Sequence, residues 1–226
     1  MRKRREAGLR PRDATEALIE RTLTGDVRAF EALVTQHYGQ VYAFACRMVG
    51  AEAAEDVAQD VFLRVYRALP SYRGDASFTT WLYRITHNTC LDYRRRQRRE
   101  RERSLSLDGT AGSEEAAPLE WLAAEDSAGA DPQAQAEALD LHAKLQQALM
   151  RLSDKHRAVL VLHDVHGFRY EEIKDIVGCS LGTVRSRLYY ARRELKRLLQ
   201  EMWPGEFEAL LVAKERQHRA GGAPPA

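Results

Sequence analysis

The chain has 226 residues, with 35 Lys and Arg against 33 Asp and Glu, a net charge of +2, 44% hydrophobic residues and 30% charged ones. That length excludes a single small motif and allows one large domain or two small ones, and the apolar share excludes wholesale disorder. No apolar run approaches the roughly 18 to 20 residues of a membrane helix, and the basic start MRKRREAGLRPR is followed by no apolar stretch of the signal-peptide kind, so a cytoplasmic protein with no membrane contact of its own is expected.

Residues 1–12, net +5, read as a disordered basic arm. A first domain is expected over 13–100. Val27, Phe30, Val34, Tyr38, Val41, Ala45 and Met48 recur every three or four positions and predict a helix that Asp26 caps and Gly50 ends. A second helix fits Glu52 to Leu69, with Ala58, Val61, Val65 and Leu69 on one stripe and Pro70 as its stop. The third opens near Ser77 and buries Phe78, Trp81, Leu82, Ile85 and Thr89 before running into RRRQRRERER.

Residues 104–139 carry eight acids and no base, and helical periodicity is lost there except in a short LEWLA cluster, so 101–135 reads as a flexible acidic linker. A second domain is expected over 136–203. Asp131-Pro132 can open a helix with Ala138, Leu141, Leu145, Leu149 and Leu152 in register. Ser153 can cap a helix from Asp154 to His166 that Gly167 ends, and helices Tyr170 to Val177 and Leu181 to about Met202 follow. Strands find no support, so the fold class is all-α: two small helical domains joined by the linker, with residues 204–226 a tail of unknown role that could form a short helix around Phe207, Leu210 and Leu211.

The segment YEEIKDIVGCSLGTVRSRLYYARREL places Ile173, Ile176 and Val177 on one helix, a Gly178-Cys179-Ser180 turn, and Val184 and Leu188 on the next, which is the spacing of a helix-turn-helix. Arginines on the second helix suit guanine edges and phosphates. An ordinary helical hairpin with a solvated basic face is the competing reading. Lys174 stands where such motifs commonly hold a small residue, and its long stem would have to snorkel outward. In the first domain, Tyr72, Asn88 and the run Arg94 to Arg96 put aromatic and cationic groups near one helix, as single-stranded nucleic acid binding requires. A core-only reading explains Phe78 and Trp81 equally well, and composition alone leaves that choice open.

Taken together, DVAQDVFLRVYRAL, FTTWLYRITHNTCLDYRRR and the carboxy-terminal motif resemble, in order and over about residues 13 to 200, the bacterial extracytoplasmic-function (ECF) RNA polymerase sigma factors. The resemblance implies a sigma region 2 bundle over 13–100 and a sigma region 4 helix-turn-helix over 136–203. It implies core RNA polymerase as partner, through the clamp helices of the largest catalytic subunit and the flap of the other large subunit, with Asp56, Val57, Gln59, Asp60, Phe62, Leu63 and Arg64 as polymerase-binding residues. Tyr72, Arg73, Gly74, Trp81, Arg84, Asn88, Arg94 and Arg95 fall at positions that recognise and melt the minus-10 promoter element, with Tyr72 and Asn88 holding an extruded base and Trp81 either a wedge or a core residue. Tyr170, Thr183, Arg185, Ser186, Tyr189 and Arg192 fall at positions that read the minus-35 duplex. The linker leaves no room for a further promoter-binding domain, its acidity suits a basic channel of the polymerase, and an inhibitory anti-sigma factor is implied as well.

No enzymatic constellation competes. Cys46, Cys90 and Cys179 form no CxxC pair, and His163 and His166 lack further ligands, so neither a metal nor any cofactor is expected. The rival to the sigma factor is a stand-alone dimeric helix-turn-helix transcriptional regulator, which would bind a palindrome unaided. An RNA-binding or anti-termination module is the third possibility.

Overall fold

The computed structural model describes residues 11–107 and 132–205. Of the expected basic arm (1–12), linker (101–135) and tail (204–226), the parts up to residue 10, between 108 and 131 and from 206 lie outside the described residues, and both described ends of the linker, 101–107 and 132–135, are helix rather than flexible chain. Helices and helical turns follow one another with no strand among the described residues: α1 (Pro11–Leu23), α2 (Val27–Val49), α3 (Ala51–Ala68), a 3-10 turn (Leu69–Ser71), α4 (Phe78–Leu107), α5 (Pro132–Arg151), α6 (Asp154–Leu160) running into a π-helical turn (Val161–Val165), α7 (Tyr170–Val177) and α8 (Leu181–Met202). They divide into two compact units, one of 11–107 grouped with Glu171–Gly178, the other of 132–170 and 179–205.

In the first unit α2 is the central helix, packed by α1, α3 and α4. Asp26 caps it: one carboxylate oxygen accepts the Ala29 N–H at 3.2 Å, and Arg21 donates to the other at 2.6 Å. The bond from Arg21 is the main reason the Asp26 carboxyl titrates below its ordinary range. A single residue, Gly50, joins α2 to α3 with φ +94° and ψ 161°, a conformation that side chains resist, and its N–H closes α2 on the Cys46 carbonyl at 3.0 Å. Ala53, Ala54, Val57, Ala58, Val61, Phe62 and Val65 bury one side of α3, and Ser77 opens α4 by accepting the Thr80 N–H at 3.1 Å.

Two features differ from the sequence expectation. α1 is an additional helix, and its buried side is made of Thr15, Ile19 and Thr22. The buried stripe of the first half of α2 is rotated by about one position, to Ala29, Leu33 and His37, leaving Val27 62% exposed. Val41, Ala45 and Met48 are buried as expected.

In the second unit α5 and α6 both pack on α8. Leu149 and Leu152 are buried as expected, whereas Leu141 and Leu145 are exposed, and the α5 core is completed by Ala148 and Gln146 instead. Ser153 caps α6, accepting the His156 N–H at 3.3 Å. Behind that cap lies Arg157, fully buried. Its guanidinium donates to the carbonyls of Leu149 at 2.7 Å, Met150 at 2.7 Å and Leu152 at 2.9 Å, satisfying the end of α5, whose last carbonyls have no partner within the helix.

Candidate nucleic-acid interface

The loop between α3 and α4 is built around Tyr72. Its hydroxyl donates to the Ala76 carbonyl at 2.9 Å, and its ring lies 5.8 Å from Phe78 and 5.2 Å from Trp81, centroid to centroid. Gly74, with φ +77°, makes the tight turn that the short closure demands. Tyr72 is half-buried, so one side of the ring is held by the bundle and the remainder is open, while Arg73 is exposed. Trp81 is only 7% exposed and packs on Phe78, which makes it a core residue and platform rather than a free wedge. Asn88 is exposed seven residues along α4, two turns on and hence on the Trp81 side, and Arg84 and Arg95 are exposed on the same flank.

On α3, Asp56, Gln59 and Leu63 are exposed and Asp60 and Arg64 half-exposed. Val57 and Phe62 are not part of that surface: at 3% and 7% exposure they face the core, and Phe62 stacks on Tyr38 at 6.1 Å. Their place follows from helical phase, since both share the face of Ala58, Val61 and Val65. Arg64 ties α3 to α4, donating to Asp92 at 3.0 Å and pairing with Asp60 at 3.0 Å. These two carboxylates hold its guanidinium charged, with the Asp92 bond the larger influence. Asp92 also faces Arg95, at 3.7 Å, and Arg94 is half-buried.

The turn before α8 has Gly178 at φ +65° and Ser180 as cap, its Oγ accepting the Thr183 N–H at 3.2 Å. The Thr183 hydroxyl lies 2.8 Å from the same Ser180 Oγ. Lys174 is exposed and pairs with Asp175 at 3.6 Å, so the long side chain does snorkel out as the motif requires. On α8, Val184, Leu188, Ala191 and Leu198 face inward, and Arg185, Ser186 and Tyr189 outward. Tyr170 is half-buried between the His163 ring, 5.1 Å away, and the Arg185 guanidinium, 6.0 Å from its centroid.

Arg192 is exposed on the same helix and is engaged by an ion pair. Its Nε donates to Asp164 at 3.0 Å and its Nη2 to the other carboxylate oxygen at 2.5 Å, a bidentate pair, while His163 contacts the same carboxylate at 2.7 Å. Partial burial would raise the Asp164 pKa, but the bonds from Arg192 and His163 outweigh it and the net shift is downward. The π-helical turn, closed by the His166 N–H on the Val161 carbonyl at 3.1 Å, carries both His163 and Asp164. Two cations beyond those expected from the motif belong with these residues. Arg193 and Lys196 line one open cleft of about 430 Å³ with Tyr170, Arg185, Tyr189 and Arg192. For Lys196 the signal was present in the 185, 189, 192, 196 spacing, and for Arg193 in its place one turn after Tyr189.

Residues 33–100 match the Sigma-70 region 2 family and residues 142–195 the Sigma-70 region 4 family. The chain is 36% identical to the RNA polymerase sigma-H factor of Pseudomonas aeruginosa, over 83% of this chain and 94% of the relative. It is also 36% identical to the ECF RNA polymerase sigma-E factor of Escherichia coli K12, over 83% and 95%. Among solved structures it is similar to CnrH in complex with the cytosolic domain of CnrY, with a TM-score of 0.57, 27% identity, and 84% of this chain and 99% of that one covered. It is similar as well to the sigma factor RpoE in complex with the anti-sigma factor NepR from Bartonella quintana, with a TM-score of 0.55, 25% identity, and coverage of 76% and 96%.

Two helical sigma domains, the first with an aromatic loop and the second with a capped basic helix, define a promoter-recognising transcription initiation factor. The chain belongs to the ECF RNA polymerase sigma factors. Nothing in the comparisons supports the stand-alone dimeric regulator.

Proposed function

We propose that the two units divide promoter work on the surface of core RNA polymerase. The exposed face of α3, with Asp56, Gln59, Asp60, Leu63 and Arg64, docks on the clamp helices of the largest catalytic subunit, and the second unit meets the flap of the other large subunit. Tyr72, Arg73, Arg84, Asn88 and Arg95 take the minus-10 element, with Tyr72 and Asn88 holding one extruded base against the Trp81 platform. Arg185, Ser186 and Tyr189 read the minus-35 duplex. An anti-sigma protein restrains the chain when its genes are not needed, and no catalysis belongs to the chain itself.

The observation that carries this reading is the Tyr72 loop. Its hydroxyl is tied back at 2.9 Å and its ring lies on a buried tryptophan, so an aromatic surface is fixed in place beside an exposed amide-bearing helix face. A fixed ring captures an unstacked base with less ordering cost than a mobile one. Base capture on an aromatic face contributes about 1 to 3 kcal/mol, against about 1.4 kcal/mol for each stacking step of duplex that must open. Tyr72→Ala and Asn88→Ala should therefore impair transcription from a fully paired promoter and recover in part on a template premelted at the minus-10 element. Polymerase association and minus-35 binding should stay near normal. Equal defects on paired and premelted templates would assign both residues to the fold instead.

A further inference from the structure

Within the second unit, the end of α5, the start of α6 and the later turns of α8 enclose an open cleft of about 850 Å³. Arg151, His156, Tyr190, Arg193, Lys196 and Arg197 line it. Arg197 is taken up by Glu194, at 2.7 Å, and by Glu201. Arg151, Arg193 and Lys196 are exposed and form no ion pair among the described residues. Tyr190, 54% exposed, adds an apolar surface between them. Unpaired cations around an exposed ring fit an acidic peptide that carries an aromatic residue of its own, through charge-assisted hydrogen bonds and cation–π contact.

The chain contains such a peptide. Residues 108–131 hold seven acids and no base, with the apolar cluster Leu119, Trp121 and Leu122 in their midst. Neither the promoter-facing surfaces nor the α3 docking face uses that cluster. Trp121 precedes Pro132 by 11 positions, a span of about 36 to 40 Å when extended. The 20 residues of α5 measure about 30 Å from Pro132 to the Arg151 end, so the segment can reach the cleft from its own end of the unit. So short a tether raises the local concentration of this segment far above that of any free peptide.

Two of the cations have a second neighbourhood. Arg193 and Lys196 also line the cleft of Tyr170, Arg185 and Tyr189, whereas Arg151 and His156 do not. An anion held in the first cleft therefore takes two cations from the face proposed above for minus-35 DNA. We propose that the acidic segment around Trp121, with Glu120, Glu125 and Asp126, docks in the first cleft when the chain is away from the polymerase, and withholds Arg193 and Lys196 from duplex DNA. The masking rests on the minus-35 role proposed above; the docking stands on the cleft itself.

Two measurements on the full chain test this. A zero-length carbodiimide joins a lysine amine directly to a carboxylate in contact with it, and peptide mapping of the monomer should show Lys196 joined to Glu120, Glu125 or Asp126. Cross-links found only in dimers, or none from Lys196 to these acids, overturn the docking. Binding to a minus-35 duplex without polymerase reads the masking. Glu120→Gln with Glu125→Gln and Asp126→Asn should tighten it by about 2- to 10-fold, the worth of two exposed ion pairs, and the gain should fade as salt rises. A linker that merely repels DNA would give that gain too, so Arg151→Gln decides between them. This variant removes a base outside the DNA-facing cleft and should nonetheless tighten duplex binding, with no further effect in the neutralised background. Arg151 is exposed and glutamine keeps the helix propensity, which circular dichroism checks. Weaker or unchanged binding by Arg151→Gln overturns the masking. No duplex binding by any variant overturns the minus-35 reading instead, and the cross-link alone then decides the docking.

Discussion

The first unit presents its functional loop on a core made of aromatic rings, whereas the second presents its basic helix from a smaller body held by buried and half-buried guanidinium groups. Tyr72 lies on Phe78 and Trp81, and Tyr83 lies edge-on to Phe44 at 5.5 Å, so what positions the loop is mostly non-directional burial. In the second unit Arg157 joins the end of α5 to α6 through three carbonyls, and Arg192 joins the middle of α8 to Asp164. Burial tolerates small shifts, while hydrogen-bonded charges fail when one partner is removed. The two units should therefore respond to substitution in different ways.

The largest effect is expected at Arg157. Arg157→Met keeps the apolar stem but removes the donor to the Met150 and Leu152 carbonyls and one of the two donors to the Leu149 carbonyl, which keeps the Leu152 N–H at 3.0 Å. A loss of about 3 to 5 kcal/mol is expected, confined to the second unit, because breaking a buried charged network leaves its partners unsatisfied. Hydrogen exchange on the full chain checks this: amides of 138–170 and 179–200 should lose protection while those of α2 and α3 keep theirs. Loss in both units would contradict the separation of the two cores.

A smaller effect is expected in the first unit. Tyr72→Phe removes one hydroxyl bond to Ala76 and preserves the ring contacts, so it should cost about 1 kcal/mol in thermal unfolding. It should also reduce transcription from a paired promoter less than Tyr72→Ala does. If the two variants behave alike, the bond that fixes the loop matters more than the ring.

How far the sequence carried depended on how each position shows its chemistry. The caps Asp26, Ser153 and Ser180 and the turn at Gly178 were legible because local hydrogen bonding and a positive φ select those residue types. α1 was missed because its buried side is two threonines and one isoleucine. Thr22 is compatible with burial only because its hydroxyl donates to the Leu18 carbonyl at 2.8 Å, which no apolar pattern reveals. The rotation in α2 has a related cause, since His37 occupies a core position where a count of apolar residues prefers Tyr38. Among site residues, Tyr72, Asn88 and Arg185 came from local motif context and the structure leaves them surface-accessible. Val57 and Phe62 were placed on the wrong side of α3 because a motif names a helix and not its phase. The tie between Arg192 and Asp164 spans 28 positions, and nothing local announces it.

His37 gives the comparison a pH axis. It is buried against Phe78, 5.3 Å between centroids, and neither ring nitrogen has a hydrogen-bond partner among the described residues. Burial lowers its pKa below 6.5. A base with a depressed folded pKa contributes its full stability above the unfolded value and loses it as pH falls toward the folded one. The first unit should thus weaken as pH drops below about 6.5, the ordinary histidine value. His37→Leu should flatten that dependence, as followed by thermal unfolding at stepped pH, and an unchanged slope would assign it to other groups.

The smallest effect on stability and the sharpest on function are expected at Asp164. The pair with Arg192 is half-exposed, with side-chain exposures of 51% for Arg192 and 32% for Asp164, so Asp164→Asn should cost only about 0.5 kcal/mol after solvent screening. The functional consequence is set by where the guanidinium goes. While Nε and Nη2 of Arg192 are held by the carboxylate, the side chain ties α8 to Asp164 and only Nη1 is left to meet DNA. Asparagine keeps one acceptor and removes the charge, so the freed guanidinium can swing to a phosphate, and the salt slope of minus-35 duplex binding should steepen by about 0.9. Arg192→Ala should leave that slope near the wild-type value, and in the Asp164→Asn background it should cancel the steepening. The Asp164 pKa lies below its ordinary 3.8, so the tie is complete at any pH above that value and is lost only as pH falls through the lower folded pKa. Binding assays near neutral pH thus see it fully formed. A flatter slope for Arg192→Ala alone would return this residue to the set that touches DNA, and would make the second unit's basic helix a freer surface than its ion pairs imply.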